Sequence, residues 1–124
     1  MAHNDHLACI GACYDCADAC DRCAIACLNE SDARSLAHCI ALDIDCAEIC
    51  RLAAGFMARD SENDVALCEL CAQICQACAD ECSKHAMEHC VRCAQMCTHC
   101  AQECRRMAAR HRGRAAVAVA QSTR

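Results

Sequence analysis

The chain has 124 residues, which is enough for one domain with its own core but not for two. Its formal net charge of −5, single Tyr, single Phe and absent Trp argue against a nucleic-acid-binding surface. No segment approaches the roughly 18 consecutive apolar residues that a membrane-spanning helix needs. Because proline is absent and glycine occurs only 3 times, the composition favours an all-α fold.

Cysteines recur along the chain in four groups, at steps of three and four residues with a single step of seven. This spacing puts the cysteines of each group on one face of a helix. Four helices that each carry a stripe of thiols can bury them together only around a shared axis. The four groups are Cys9, Cys13, Cys16, Cys20, Cys23 and Cys27; Cys39, Cys46 and Cys50; Cys68, Cys71, Cys75, Cys78 and Cys82; and Cys90, Cys93, Cys97, Cys100 and Cys104.

The segments between the groups contain helix-breaking and capping residues. We expect Ser31 or Asp32 to cap the second helix, and Ser61 and Asp64 have the spacing of a capping box before the third. Gly113 is expected to end the fourth helix. The predicted helices span about 4–28, 32–58, 62–83 and 86–111.

Short links between successive helices predict an antiparallel, up-down-up-down four-helix bundle with a core lined by cysteine. Residues 1–112 are expected to form this bundle, and residues 113–124 to form a C-terminal tail. The core would be unusual in composition, because free cysteine and alanine would take the place of larger apolar side chains.

The cysteine stripes are more typical of a metal store than of a disulfide framework. Side chains three or four residues apart on a helix have Cβ atoms about 5–6 Å apart, whereas a disulfide needs about 3.5–4.5 Å. The first residues lack the basic start and apolar run of a secretory signal. We therefore expect a cytoplasmic protein, in a compartment that keeps thiols reduced.

Copper(I) is the metal that best suits these stripes. Zinc and iron–sulfur sites are commonly held by four thiolates, and several zinc tetrathiolates stacked in a narrow apolar tube would repel one another. Copper(I) prefers thiolate ligands, and one monovalent ion per thiolate leaves the lumen near neutral. The alternatives are a metallothionein-like sink for zinc or cadmium and an iron–sulfur electron carrier.

Repeated Cys-x-x-x-Cys pairs on four striped helices, such as Cys9/Cys13 and Cys71/Cys75, resemble the bacterial copper storage protein family, and within it the cytosolic branch. The resemblance covers roughly residues 5–111. It implies storage and buffering of many copper(I) ions on the cysteines, a homotetramer and no catalysis. Asp43 departs from the pattern, because it stands in the slot between Cys39 and Cys46 where a thiol would continue the stripe.

Extending each stripe by one or two turns predicts a cluster of other metal-binding residues at one end of the bundle. In an up-down-up-down bundle the five positions reached in this way share one end, where their side chains could capture copper(I) and pass it inward. The opposite end is expected to be closed, and His3, His38, His89 and His99 are expected to face solvent. The five residues are His6, Met57, Asp64, Met107 and His111.

The predicted function is therefore a store that keeps copper(I) away from other cytoplasmic chemistry. A copper chaperone or a small-thiol donor is the expected source of the ion. No enzyme is predicted, because no cysteine is set apart beside a His–Asp arrangement as a nucleophile would be.

Overall fold

A computed structural model describes the backbone of residues 2–122 and the side chains of residues 6–111. Four α-helices follow one another along the chain, and the second is preceded by a single 3-10 turn at Ala33–Leu36. The described residues contain no strand, so the all-α prediction is confirmed. The helices are α1 (Ala2–Leu28), α2 (Ala37–Ala58), α3 (Asp64–Cys82) and α4 (Glu88–Ser122).

The helices form a ring in which each packs against the helices next to it in sequence, and α1 closes the ring by packing against α4. Cysteine contacts give the direction of α1 relative to α4: Cys9, early in α1, meets Cys104 near the middle of α4, whereas Cys27, at the end of α1, meets Cys90 at the start of α4. In the same way Cys39, early in α2, meets Cys82 at the end of α3. Neighbouring helices therefore run antiparallel, as predicted.

The first turns of α2 and α3 are not capped by the side chains that the sequence predicted. Asp32 makes no side-chain cap; the 3-10 turn that follows it instead brings Leu36 into the core at this end, where it is buried. Ser61 Oγ accepts a hydrogen bond from the backbone N–H of Asn63, at 3.0 Å. The Asp64 side chain is turned into the bundle, so it does not complete a capping box with Ser61.

The helix α4 continues to Ser122, past the predicted end near His111. Gly113 does not end it, since a glycine inside a helix costs only about 1 kcal/mol relative to alanine. Alanines follow at positions 115, 116, 118 and 120, and no proline interrupts them. Residues 123 and 124 of the predicted tail lie outside the described residues, and the domain boundary at residue 112 stays a prediction.

Thiols and small side chains fill the core. Every cysteine is at most 1 % exposed, and alanines such as Ala17, Ala53, Ala54 and Ala101 lie beside them. Small side chains let helix backbones approach closely, so the sulfurs of facing helices come within contact distance. Ile40, Leu42, Leu67 and Ile74, which lie beside the stripes, are partly buried and pack at the edge of this core. Within the described residues, no helix is long and apolar enough to cross a membrane.

Candidate metal centre

The sulfur atoms form a continuous column along the bundle axis. Sulfurs of α1 and α4 alternate along it: Cys20 Sγ lies 3.5 Å from Cys97 Sγ and 3.6 Å from Cys93 Sγ. The α2–α3 side is equally close, with 3.4 Å between Cys39 Sγ and Cys82 Sγ. All the cysteines are free thiols. These separations are far longer than a disulfide bond of about 2.05 Å, so each sulfur remains available as a ligand.

Thiols from several helices also converge in groups of four, with all four sulfurs within 4.8 Å of one another. Consecutive groups share members: Cys16 and Cys46 belong to one group with Cys50 and Cys75, and to the next with Cys20 and Cys97. A sulfur that belongs to two groups can bridge ions in both. The arrangement is therefore suited to many linked ions and not to a few separate ones.

Burial affects the protonation of these thiols. Burial raises the pKa of Cys27 and of Cys90, because a thiolate loses its hydration in the apolar lumen. A metal ion binds the thiolate, so each coordinated thiol has to release its proton. Metal loading of these positions is accordingly a proton-for-metal exchange.

Asp43 stands between Cys39 and Cys46 on the stripe of α2, and its carboxyl contacts the thiols of Cys78, Cys82 and Cys93. Its Oδ1 accepts hydrogen bonds from Cys78 and Cys93, both at 3.2 Å, and its Oδ2 is buried without a hydrogen-bond partner. Burial, together with the nearby Cys93 and Cys78, raises the pKa of Asp43 to about 10. A neutral carboxylic acid therefore replaces one thiol at the edge of the column in the metal-free protein.

The residues predicted to cluster at one end of the bundle, here called the rim, lie at the end where α1 begins. They are His6, Met57, Asp64, Met107 and His111. His6 Nε2 lies 3.3 Å from Asp64 Oδ2, and the His6 ring stacks on His111 with centroids 5.1 Å apart. Met57 and Met107 are buried in the core cluster beside them. The five side chains are all at most 6 % exposed. The predicted convergence thus agrees with the structure, while a role for these residues as metal ligands stays a prediction.

His89, at the opposite end of the bundle, was predicted to face solvent, and this prediction was wrong. Its ring is only 21 % exposed, and Nδ1 lies 3.5 Å from Cys23 Sγ and from Cys90 Sγ. Heptad counting missed it because α4 begins at Glu88, so that His89 lies in the first turn and can cover the end of the column. The available signal was a histidine directly before the first cysteine of a stripe.

Two of the other histidines are exposed to solvent, as predicted. His38 and His99 are exposed, in agreement with their positions off the stripes. The side chain of His3 lies outside the described residues. Neither exposed histidine is therefore part of the thiol column.

Comparison with known proteins agrees with this geometry. The family model described as copper storage protein matches residues 2–109 of the chain. An uncharacterized cysteine-rich protein of Bacillus subtilis, YhjQ, is 51 % identical over 83 residues, which are 67 % of this chain and 77 % of that protein.

Two solved structures show the same architecture. The Cu(I)-bound copper storage protein BsCsp3 is 49 % identical, covers 84 % of this chain and 98 % of its own, and superposes with a TM-score of 0.81. A cytosolic copper storage protein from Streptomyces lividans, loaded with five coppers, is 38 % identical. Its TM-score is 0.85, over 87 % of this chain and 95 % of that one. By sequence and by fold, the chain belongs to the copper storage protein family.

Proposed function

We propose that this protein stores copper(I) in the cytoplasm and buffers its concentration there. The observation that carries the proposal is the continuous column of buried, free thiols whose sulfurs approach one another to between 3.4 and 4.0 Å. Soft thiolate ligands favour copper(I). The related structures named as Cu(I)-bound and as copper-loaded support this choice of cargo.

The lumen would hold the ions on all 19 cysteines. Because neighbouring groups of thiols have cysteines in common, one thiolate can bridge two copper(I) ions. The negative charge of the thiolates is then neutralised as the column fills. Asp43 occupies the α2 position at its level of the column, and its carboxyl contacts the thiols of Cys78, Cys82 and Cys93. We therefore expect fewer thiolate ligands for the ions bound at this level.

Copper would enter at the rim formed by His6, Met57, Asp64, Met107 and His111. Imidazole and thioether groups bind copper(I), and the Asp64 carboxylate beside His6 adds negative charge that attracts a cation. Since these side chains are buried, entry requires them to move apart or to hand the ion inward by ligand exchange.

The rest of the proposal concerns the protein's surroundings. A copper chaperone or a small-thiol carrier would donate the ion, and the protein would assemble as a homotetramer. The protein would act as a store and not as an enzyme, in keeping with the name of its family. The related structure from Streptomyces lividans is described as cytosolic, which supports the proposed location.

Metal identity is the direct test of the proposal. The reduced, metal-free protein is mixed anaerobically with copper(I) held by a chromophoric chelator, and withdrawal of copper from the chelator is followed by absorption. We expect the protein to take up copper(I) without visible colour. Failure to withdraw copper would contradict the proposal, and brown absorption of the protein as isolated would favour an iron–sulfur carrier instead.

A further inference from the structure

The end of the bundle opposite the rim holds a compact tetrahedron of donor atoms. Its corners are His89 Nδ1 and the sulfurs of Cys23, Cys27 and Cys90. The three S···S distances are 3.8 Å for Cys23–Cys27 and 3.9 Å for each of Cys23–Cys90 and Cys27–Cys90. The nitrogen lies 3.5 Å from Cys23 Sγ and Cys90 Sγ and 3.8 Å from Cys27 Sγ. All six distances between these atoms thus lie between 3.5 and 3.9 Å.

These distances match the dimensions of a tetrahedral zinc site. Zinc lies about 2.3 Å from thiolate sulfur and about 2.0–2.1 Å from imidazole nitrogen. At tetrahedral angles these bond lengths correspond to S···S separations of about 3.8 Å and S···N separations of about 3.5 Å. The donors are therefore already placed to within a few tenths of an ångström, so an ion at their centre would require little rearrangement.

The imidazole is held in the orientation that metal binding requires. Its Nε2 lies 2.9 Å from Glu30 Oε1, in the link between α1 and α2. A carboxylate that accepts the Nε2 hydrogen leaves the Nδ1 lone pair directed at the thiols, and such carboxylate–histidine pairs are typical partners of zinc. The His89 ring is 21 % exposed, which gives an ion from solvent a path to the site.

We propose that, in the copper-free protein, His89, Cys23, Cys27 and Cys90 form a zinc(II) site at the end of the thiol column. Three thiolates and a neutral imidazole around zinc(II) leave one negative charge, whereas each tetrathiolate site would leave two. This single charge lies at the partly exposed end of the bundle, where water reduces its cost. The site is filled in the copper-free protein, and copper(I), which competes for the same thiolates, displaces zinc when the store fills.

Cys39 offers a competing arrangement, because its sulfur lies within 4.8 Å of the same three sulfurs. An all-thiolate site would make His89 unnecessary. The experiment therefore has to report the ligand set as well as the affinity.

Cobalt(II) is a suitable probe, since its absorption spectrum responds to the number of sulfur ligands in a tetrahedral site. We expect the metal-free, reduced protein to bind a first cobalt(II) ion with the intense bands of tetrahedral coordination, and zinc(II) to displace it. His89→Gln should change this spectrum and weaken the first site at least about tenfold, and Glu30→Gln should weaken it by about 10- to 100-fold.

His85→Gln is the matched control. His85 is 20 % exposed and its Nε2 lies 3.0 Å from Glu81, but within the described residues its ring makes no hydrogen bond with a thiol. This variant should keep the wild-type spectrum and affinity. A His89→Gln spectrum identical to that of the wild type would overturn the proposal, and so would a wild-type protein without a tetrahedral first site.

Copper(I) uptake by the same preparations separates this proposal from that of copper storage. Loss of the zinc site with normal copper uptake is the expected behaviour of His89→Gln. If the wild-type protein takes up copper(I) but binds cobalt(II) without His89, only the zinc proposal fails. If it fails to take up copper(I), the storage proposal fails whatever the cobalt(II) spectra show.

Discussion

Asp43 places a carboxyl group where the sequence pattern calls for a thiol, and its surroundings keep it neutral. The folded protein holds this proton up to a pH of about 10, because the pKa of Asp43 is raised to about 10. An unfolded chain would release it near the ordinary aspartate pKa of about 3.9. The contribution of Asp43 to stability is therefore fully present below about pH 4 and is lost progressively as the pH rises towards 10.

Asp43→Asn should remove this loss. Between pH 4 and pH 7 the wild type should lose at most about 4 kcal/mol of unfolding free energy that the variant keeps. This value follows from the linkage relation, which gives about 1.4 kcal/mol for each of the three pH units. Urea unfolding of the reduced, metal-free proteins at both pH values measures the difference. Asp45→Asn is the control, because Asp45 is exposed on the same helix. Parallel pH dependence in the wild type and Asp43→Asn would contradict the assigned neutral carboxyl.

The rim residues lead to a kinetic prediction. Replacing His111 by Ala and Met107 by Leu together should slow copper(I) uptake from a donor, while the final capacity changes by only a few ions. The reason is that the thiols of the lumen remain in place. Stopped-flow loading measures the rate, and His99→Ala, at an exposed position away from the rim, is the control. An unchanged uptake rate, or slowing only after substitutions near Cys27, would place the entrance at the opposite end.

Residue-level prediction from the sequence succeeded where a residue lay on a regular stripe. The cysteines, and rim positions such as His6 and His111, follow from periodicity alone, because a helix repeats its faces every three to four residues. His89 could not be found in this way, since its position depends on where α4 begins. The protonation of Asp43 also required the structure, because it results from burial and from neighbours on other helices.

At the scale of the helices, α1 contains a glycine whose place could be taken by a larger residue. Gly11 lies in mid-helix, and a Cβ atom added there would have no heavy atom within 4 Å. Gly11→Ala should therefore stabilise the metal-free protein by about 0.5–1 kcal/mol, because alanine restricts the unfolded chain and favours helix. Thermal or urea unfolding of the reduced protein measures the change.

Gly55 in α2 is the matched comparison. A Cβ atom at this position would lie 3.1 Å from Nη1 of Arg59, so that the arginine has to move. Gly55→Ala should gain less stability than Gly11→Ala. The reverse order would contradict the packing described for these two helices.

The number of helices and their directions could be predicted from the sequence, whereas the residues at which α2 and α3 begin could not. The four stripes determine four helices, and the short links between them determine the antiparallel order. The start of α2 depends on the burial of Leu36, and the start of α3 on the turning of Asp64 into the bundle. Both are tertiary effects that override local capping preferences.

For the whole molecule, we expect the fold to form without metal. Buried alanine and cysteine already fill the lumen, and the helices are rich in good helix formers. Far-UV circular dichroism of the reduced, metal-free protein should show mostly helix. A random-coil spectrum that becomes helical only with metal, as in a zinc finger, would contradict a preformed thiol column.

The stoichiometry of copper(I) loading tests the central claim most directly. The reduced protein is titrated anaerobically with copper(I) against a chromophoric chelator, and bound copper is determined by metal analysis. A continuous column of bridging thiolates predicts saturation well above one ion per four thiols, approaching one ion for each of the 19 cysteines. Saturation at about four or five ions per chain, the number expected for separate four-thiolate sites, would contradict it.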